Sequence, residues 1–169
     1  MRISSLAAVC AAFVATAALA QTAAPTAPAA PAPLLYGAPI SLDQAKKAML
    51  AAEAEARKNN WNVAIVVVDS GGNMVAMHRL DGTQLASIEI AKGKAVTANN
   101  YRRPSKALED AVAGGGAGLR TLAIPGVMPL EGGVLVVADG KIIGAVGVSG
   151  VMSSQDAQVA RAGADAVTR

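Results

Sequence analysis

The 169-residue chain contains only one cysteine and one histidine. These counts exclude a cysteine-rich zinc site and a multi-histidine metal centre within one chain. Aromatic residues make up 2% of the sequence, which disfavours a platform for stacking bases. The net charge of +3 is spread along the chain without a basic block, so nucleic acid is not expected as a partner. Hydrophobic residues make up 53%, which is typical of a folded domain rather than of a disordered chain.

The first twenty residues have the pattern of a secretory signal peptide. Arg2 gives a positive start, residues 6–19 are apolar and uncharged, and Ala18-Leu19-Ala20 is a cleavage site of small residues. The apolar stretch is shorter than the roughly 18–20 residues that a membrane span needs. We therefore expect residues 1–20 to be removed together with Cys10. The mature protein is predicted to be periplasmic or secreted, without a membrane span or a disulfide.

A spacer is predicted between the signal peptide and the folded domain. Residues 21–39 are mainly Ala, Pro and Thr, carry no charge and include five of the eight prolines. Because proline fixes the backbone and removes a hydrogen-bond donor, this segment is expected to be extended. The folded domain is predicted to cover residues 40–169.

Hydrophobic periodicity predicts a first helix followed by a β-hairpin. Ser41 and Gln44 have the spacing of a capping box, which indicates that a helix begins here. Its apolar positions recur every three or four residues, at Leu42, Ala45, Met49, Ala52 and Ala56. Residues 63–68 form an unbroken apolar run, typical of a strand covered on both faces. Residues 74–80 are predicted to return as its partner after a glycine-rich turn.

The second half of the chain has a similar pattern. A second helix is predicted to turn five side chains inward: Leu85, Ile88, Ala91, Ala95 and Ala98. Residues 134–138 and 141–148 form a second hairpin around Asp139-Gly140, and a last helix begins near Ser153. Hairpins joined by helices predict an α+β fold, in which helices pack against a mainly antiparallel sheet.

Two groups of glycines resemble ligand-binding loops only loosely. Residues 114–118 lack the Gly-Lys-Ser/Thr ending of a phosphate-binding loop, so we interpret them as a flexible connector. Gly144 and Gly147 lie within a predicted strand, where glycine permits close approach of another backbone or of a flat ligand. Of these two interpretations, we favour helix packing.

His78 is the candidate metal ligand because it is the only imidazole in the chain. On a regular strand, Met74 shares its face and Arg79 lies on the opposite face. A neutral imidazole on an apolar surface can ligate heme iron, and cations such as Arg79 and Lys94 can neutralise the propionates. Met74 could supply a second axial ligand, although about 13 Å separates residues four apart on a strand. From the residues alone, a strand histidine without a ligand is the favoured interpretation.

Four separated blocks carry a resemblance to a known family. They are residues 67–82, 90–98, 103–105 and 144–150, the last being followed by Asp156. With these blocks in this order, the chain resembles the GlcG/HbpS-like heme-binding family from about residue 42 to residue 167. The resemblance implies a profilin-like α/β sandwich with a five-stranded antiparallel sheet, assembled into homo-oligomers. Residues 127–133 depart from the family's commoner arrangement, in which paired glycines precede the proline.

The resemblance implies a secreted protein that binds heme or a related tetrapyrrole, for sequestration or sensing. The predicted cofactor-binding residues are His78, Arg79, Lys94 and Met74, with His78 as the iron ligand; no catalytic residue is assigned. Two alternatives stay open. One is an enzyme that degrades heme or processes a small hydroxy acid, with acid–base groups drawn from Asp69, Asp81 and Lys94. The other is a ligand-free oligomeric module that accompanies a sensor.

Overall fold

The computed structural model describes residues 32–168. The predicted signal peptide and residues 21–31 of the predicted spacer lie outside the described residues. The elements are β1 (Leu35–Tyr36), α1 (Leu42–Lys58), β2 (Ala64–Asp69), β3 (Met74–Arg79), α2 (Ser87–Tyr101), α3 (Lys106–Ala113), a 3₁₀ helix (Gly116–Ala123), β4 (Gly133–Ala138), β5 (Lys141–Ser149) and α4 (Ser153–Thr168). Over the described residues, no helix is both long enough and apolar enough to cross a membrane.

The five strands form one mixed sheet rather than the antiparallel sheet that the family resemblance implies. Strand β5 pairs antiparallel with β2 and with β4, and β2 pairs antiparallel with β3. The antiparallel prediction is correct for these four strands and wrong for β1, which runs parallel to β5. The amide of Gly37 continues this pairing by donating to the Ile142 carbonyl oxygen over 2.8 Å. Residues 35–37 of the predicted spacer are therefore paired with the sheet.

Helices cover both faces of the sheet, so the α+β prediction is confirmed. Helices α1 and α4 pack on one face together with Ile65 and Val67 of β2. Helix α2 packs on the other face together with Val66 and Val68. All four valine and isoleucine side chains are fully buried, as the unbroken apolar run predicts.

Two leucines assigned to inward faces are exposed instead. Leu42 begins α1 and is 52% exposed, while Leu85 is 79% exposed. Leu85 lies outside the core because α2 begins later than its periodicity suggests, at Ser87. The inward positions from Ala91 onward are confirmed, since Ala91, Ala95 and Ala98 are fully buried.

Gly147 allows α2 to lie directly on the sheet. A β-carbon placed at Gly147 would overlap the Ala91 carbonyl oxygen and lie 2.6 Å from the Ala95 amide nitrogen. These positions are far inside ordinary van der Waals contact. The helix-packing interpretation is therefore confirmed for Gly147 and wrong for Gly144, where an added β-carbon would overlap the Val68 carbonyl oxygen of the neighbouring strand β2.

Candidate functional site

His78 lies on β3, at the edge of the sheet, and faces α1. Strand β3 ends the hydrogen-bonded order β1-β5-β2-β3. His78 pairs with Ile65, whose side chain belongs to the core beneath α1 and α4. The His78 side chain remains 44% exposed. Strand pairing therefore fixes the backbone of His78, while its imidazole remains accessible to solvent.

A carboxylate from α1 holds one nitrogen of the imidazole. Nδ1 of His78 lies 2.7 Å from Oε2 of Glu53, and Nε of Arg57 donates to Oε1 of Glu53 over 2.7 Å. The hydrogen bond from Arg57, followed by the one from His78, lowers the pKa of Glu53 below its ordinary value. Glu53 is therefore an anion at neutral pH and can only accept. A neutral His78 ring accordingly carries its hydrogen on Nδ1 and its lone pair on Nε2.

Two depressions meet at His78. An apolar groove of about 210 Å³ lies between α1 and β3 and is lined by Lys46, Met49, Leu50, Ala76 and His78. A polar cleft of about 290 Å³ adjoins it and is lined by Glu53, Arg57, Met77, His78, Arg79, Leu80 and Asp81. The imidazole thus stands between an apolar surface with one lysine and a polar surface with two arginines.

His78 and Arg79 line the same polar cleft, whereas Met74 does not. Strand β3 contains a bulge, because Val67 pairs with Ala76 while Val68 pairs with Met74. The extra residue, Val75, reverses the alternation of side chains at the start of the strand. Met74 thereby falls on the face of Val68, toward α2. The expectation that Met74 shares a face with His78 is wrong for this reason.

Lys94 is buried in an ion pair and does not face the groove. Its Nζ lies 2.7 Å from Oδ2 of Asp156, and each side chain is 2% exposed. Oδ1 of Asp156 also accepts from the Val151 amide over 3.2 Å. Burial raises the pKa of Asp156, and the hydrogen bond from Lys94 opposes this shift. The expectation that Lys94 lies near His78 as an accessible cation is wrong, because Lys94 is buried on α2 in its pair with Asp156, whereas His78 faces α1 on the other side of the sheet.

Of the three acid–base candidates, Asp81 alone lines the cleft. Asp69 holds the β2–β3 turn, because its Oδ1 accepts from the amides of Gly71 and Asn73 over 2.9 Å. Lys94 is buried in its ion pair with Asp156. Asp69 therefore stabilises the turn between β2 and β3 and lies outside the cleft.

Helix α1 contributes to this site, although none of its residues was predicted to do so. Besides Met49 of the buried stripe, four residues of α1 line the two depressions, namely Lys46, Leu50, Glu53 and Arg57. They recur at spacings of four, three and four, which places them on one helical face beside the buried stripe. Leu50 is 63% exposed, and it is the apolar member of this otherwise charged set. This pattern, three charged residues and one leucine on the same helical face, is visible in the sequence and could have indicated the site.

Comparison with known proteins yields a consistent set of relatives. The family model described as "Haem degrading protein HbpS-like" matches residues 40–165. Protein GlcG of Escherichia coli is 44% identical over 110 residues, which cover 65% of this chain and 81% of GlcG. The crystal structure of a Streptomyces reticuli HbpS double mutant superposes with a TM-score of 0.72 and 34% identity, covering 88% of this chain and all of that one.

A third relative is known in complex with heme. The crystal structure of a PduOC–heme complex has a TM-score of 0.69 and 28% identity, covering 76% of this chain and 94% of that chain. The family model spans most of the described residues, and the structural matches share its fold. The chain therefore belongs to the GlcG/HbpS-like family.

Proposed function

We propose that this protein binds heme in the groove between α1 and β3, with Nε2 of His78 as the iron ligand. The main support for this proposal is that the two imidazole nitrogens have different contacts. Nδ1 of His78 lies 2.7 Å from Oε2 of Glu53, whereas Nε2 makes no hydrogen bond within residues 32–168. Histidines that ligate metals almost always donate their other N–H to a carboxylate, a carbonyl or water. The family model and the PduOC–heme structure support heme as the ligand.

The residues around His78 fit the chemistry of heme. Porphyrin supplies four nitrogen ligands to its iron, so a single imidazole is sufficient as the protein ligand. Met49, Leu50 and Ala76 offer an apolar surface to the macrocycle. Lys46 in the groove and Arg79 in the adjoining cleft are suited to the carboxylates of the propionates.

We further propose that a second copy of the chain completes the site. The groove of about 210 Å³ is smaller than the roughly 300–1,000 Å³ of ordinary ligand sites, so one copy covers only part of a heme. Leu50, at 63% exposed, would be covered by such a neighbour. Light scattering at micromolar concentration should give the mass of a homo-oligomer. A monomeric mass both with and without hemin would contradict this part of the proposal.

Hemin titration tests the ligand assignment. The visible absorption of hemin and the fluorescence of Trp61, the only tryptophan in the chain, give two independent readouts. Trp61 lines a cleft together with Arg57, which also lines the cleft of His78. We expect wild type to shift the Soret band and to lose tryptophan fluorescence on binding. His78→Ala should weaken binding by more than about tenfold and alter the Soret band.

Two lysine variants provide a matched comparison for the propionate contacts. Lys46→Ala removes a cation from the groove and should weaken binding by less than about fivefold, because exposed ion pairs contribute about 0–1 kcal/mol. Lys92→Ala removes an exposed cation from α2, on the other face of the sheet, and should leave binding unchanged. Equal effects of both variants would show that general charge, rather than the groove, governs hemin affinity.

The same samples distinguish heme binding from heme degradation. A bound hemin whose Soret band is stable in the presence of ascorbate indicates a binding protein. Loss of the Soret band with release of iron would instead indicate an enzyme, and Asp81 would then be the first acid–base group to replace.

A further inference from the structure

Glu53 connects two elements that are distant in sequence at the point where the iron ligand is proposed. It lies on α1, while its partner His78 lies on β3, 25 residues further along the chain. The Glu53 side chain is 19% exposed, so it is better shielded from water than the imidazole that it contacts. Arg57, one turn along the same helix, contacts Oε1 of Glu53 through both Nε and Nη2, at 2.7 and 2.6 Å.

Each carboxylate oxygen of Glu53 contacts a different residue. Oε1 is held by the arginine, and Oε2 is directed to Nδ1 of His78. A carboxylate fixed in this way restrains the rotation of the imidazole ring and determines which nitrogen carries the hydrogen. It also draws the Nδ1 hydrogen toward itself, which makes Nε2 a stronger electron donor to a metal.

We propose that Glu53 is the positioning residue for His78, aligning Nε2 toward the groove and strengthening it as a ligand, and that Arg57 in turn positions Glu53. The inference rests on the proposed function, because Glu53 is assigned a role through its contact with the proposed iron ligand. A strongly donating imidazole stabilises the ferric state relative to the ferrous state. The protein should accordingly hold ferric heme more tightly, and at a lower reduction potential, than it would with an unsupported histidine.

The competing explanation is an ordinary surface ion pair. Such exposed pairs contribute little to stability, and a pair of this kind would leave hemin binding unaffected. Glu55 provides the control for this case, because it lies on the same helix with the same 19% side-chain exposure. Its Oε1 accepts from Gln158 of α4 over 2.6 Å, away from the groove. Both glutamates therefore join α1 to another element, but only Glu53 contacts the imidazole.

The experiment compares the full chain carrying Glu53→Gln, Glu53→Ala or Glu55→Gln with wild type. Hemin affinity, the reduction potential of bound heme and the iron–histidine stretching frequency of the ferrous form are measured for each. We expect Glu53→Ala to weaken hemin binding about 10–100-fold, the usual effect of removing such a partner. Glu53→Gln retains an acceptor without the charge, so it should bind with intermediate affinity, at a raised potential and with a lowered stretching frequency. Glu55→Gln should match wild type in all three.

The outcomes separate this inference from the proposed function. If His78→Ala leaves binding and spectrum unchanged, the proposed function is wrong. If His78→Ala abolishes the spectrum while both Glu53 variants behave like Glu55→Gln, the proposed function stands and the positioning role is wrong. Adding Glu53→Gln to His78→Ala should cause no further loss of affinity, since Glu53 acts through the histidine. Thermal unfolding of each apoprotein verifies that the variants are folded.

Discussion

The buried pair of Lys94 and Asp156 should dominate the response of the fold to substitution. The two charges are 2.7 Å apart and each side chain is 2% exposed. Lys94→Met removes one charge and leaves Asp156 with backbone donors, chiefly the Val151 amide. Removing one partner of a buried pair costs about 3–5 kcal/mol, because the remaining charge is uncompensated.

Gly132, in the loop before β4, packs closely against this pair. A β-carbon placed at Gly132 would lie 2.9 Å from Nζ of Lys94 and 2.8 Å from the Val148 carbonyl oxygen. We therefore expect Lys94→Met to lose about 3–5 kcal/mol of unfolding free energy. Adding Asp156→Leu removes the orphaned charge, so the double variant should recover to within about 1–2 kcal/mol of wild type.

Urea unfolding at one fixed protein concentration measures these differences. The coupling between the two substitutions should be about 2 kcal/mol or more. Hemin affinity of the double variant should equal that of wild type, since Lys94 does not line the groove. A Lys94→Met protein as stable as wild type, or a double variant that loses the sum of both single losses, would refute the reasoning.

Three further predictions concern packing, pH and processing. Gly147→Ala should cost at least about 1–3 kcal/mol in urea unfolding, because its β-carbon overlaps the backbone of α2; unchanged stability would contradict the packing described. The pKa of Glu55 is lowered chiefly by the hydrogen bond from Gln158, so wild type should exceed Glu55→Gln in stability at neutral pH by about 0–1 kcal/mol. This difference should disappear as the pH falls from the ordinary glutamate range through the lowered pKa, and a difference that persists in acid would contradict it. We also propose that residues 1–20 are removed on secretion, so the mature protein should begin at Gln21 by N-terminal sequencing; an intact Met1 in the cytoplasm would contradict this.

Most elements were predictable because local patterns specify them. The capping box is present, with Ser41 Oγ accepting from the Gln44 amide over 3.2 Å and Gln44 Oε1 accepting from the Ser41 amide over 2.9 Å. The Asp139-Gly140 turn joins β4 and β5 as its residue types predict. Strand β1 has only two residues, Leu35 and Tyr36, so it shows no periodicity, and its pairing depends on β5 far along the chain.

The site was less predictable because it depends on register and on long-range contacts. A single extra residue, Val75, moves Met74 to the other face, and no local signal in a run of apolar residues marks that bulge. Lys94 is a charged residue on a helix, and its burial follows only from Asp156, which lies 62 residues away. The pairing of Glu53 with His78 is of the same kind, since it joins a helix to a strand across the edge of the sheet.

The central claim is tested most directly by nitrogen NMR of the imidazole, because His78 is the only histidine in the chain. Protein without a histidine tag, labelled with ¹⁵N-histidine, gives one Nδ1 signal and one Nε2 signal. On adding diamagnetic gallium protoporphyrin, we predict that the Nε2 signal moves to a metal-bound position while Nδ1 keeps its hydrogen and its bond to Glu53. Porphyrin binding that leaves both nitrogen signals unchanged would contradict the assignment of His78 as the ligand.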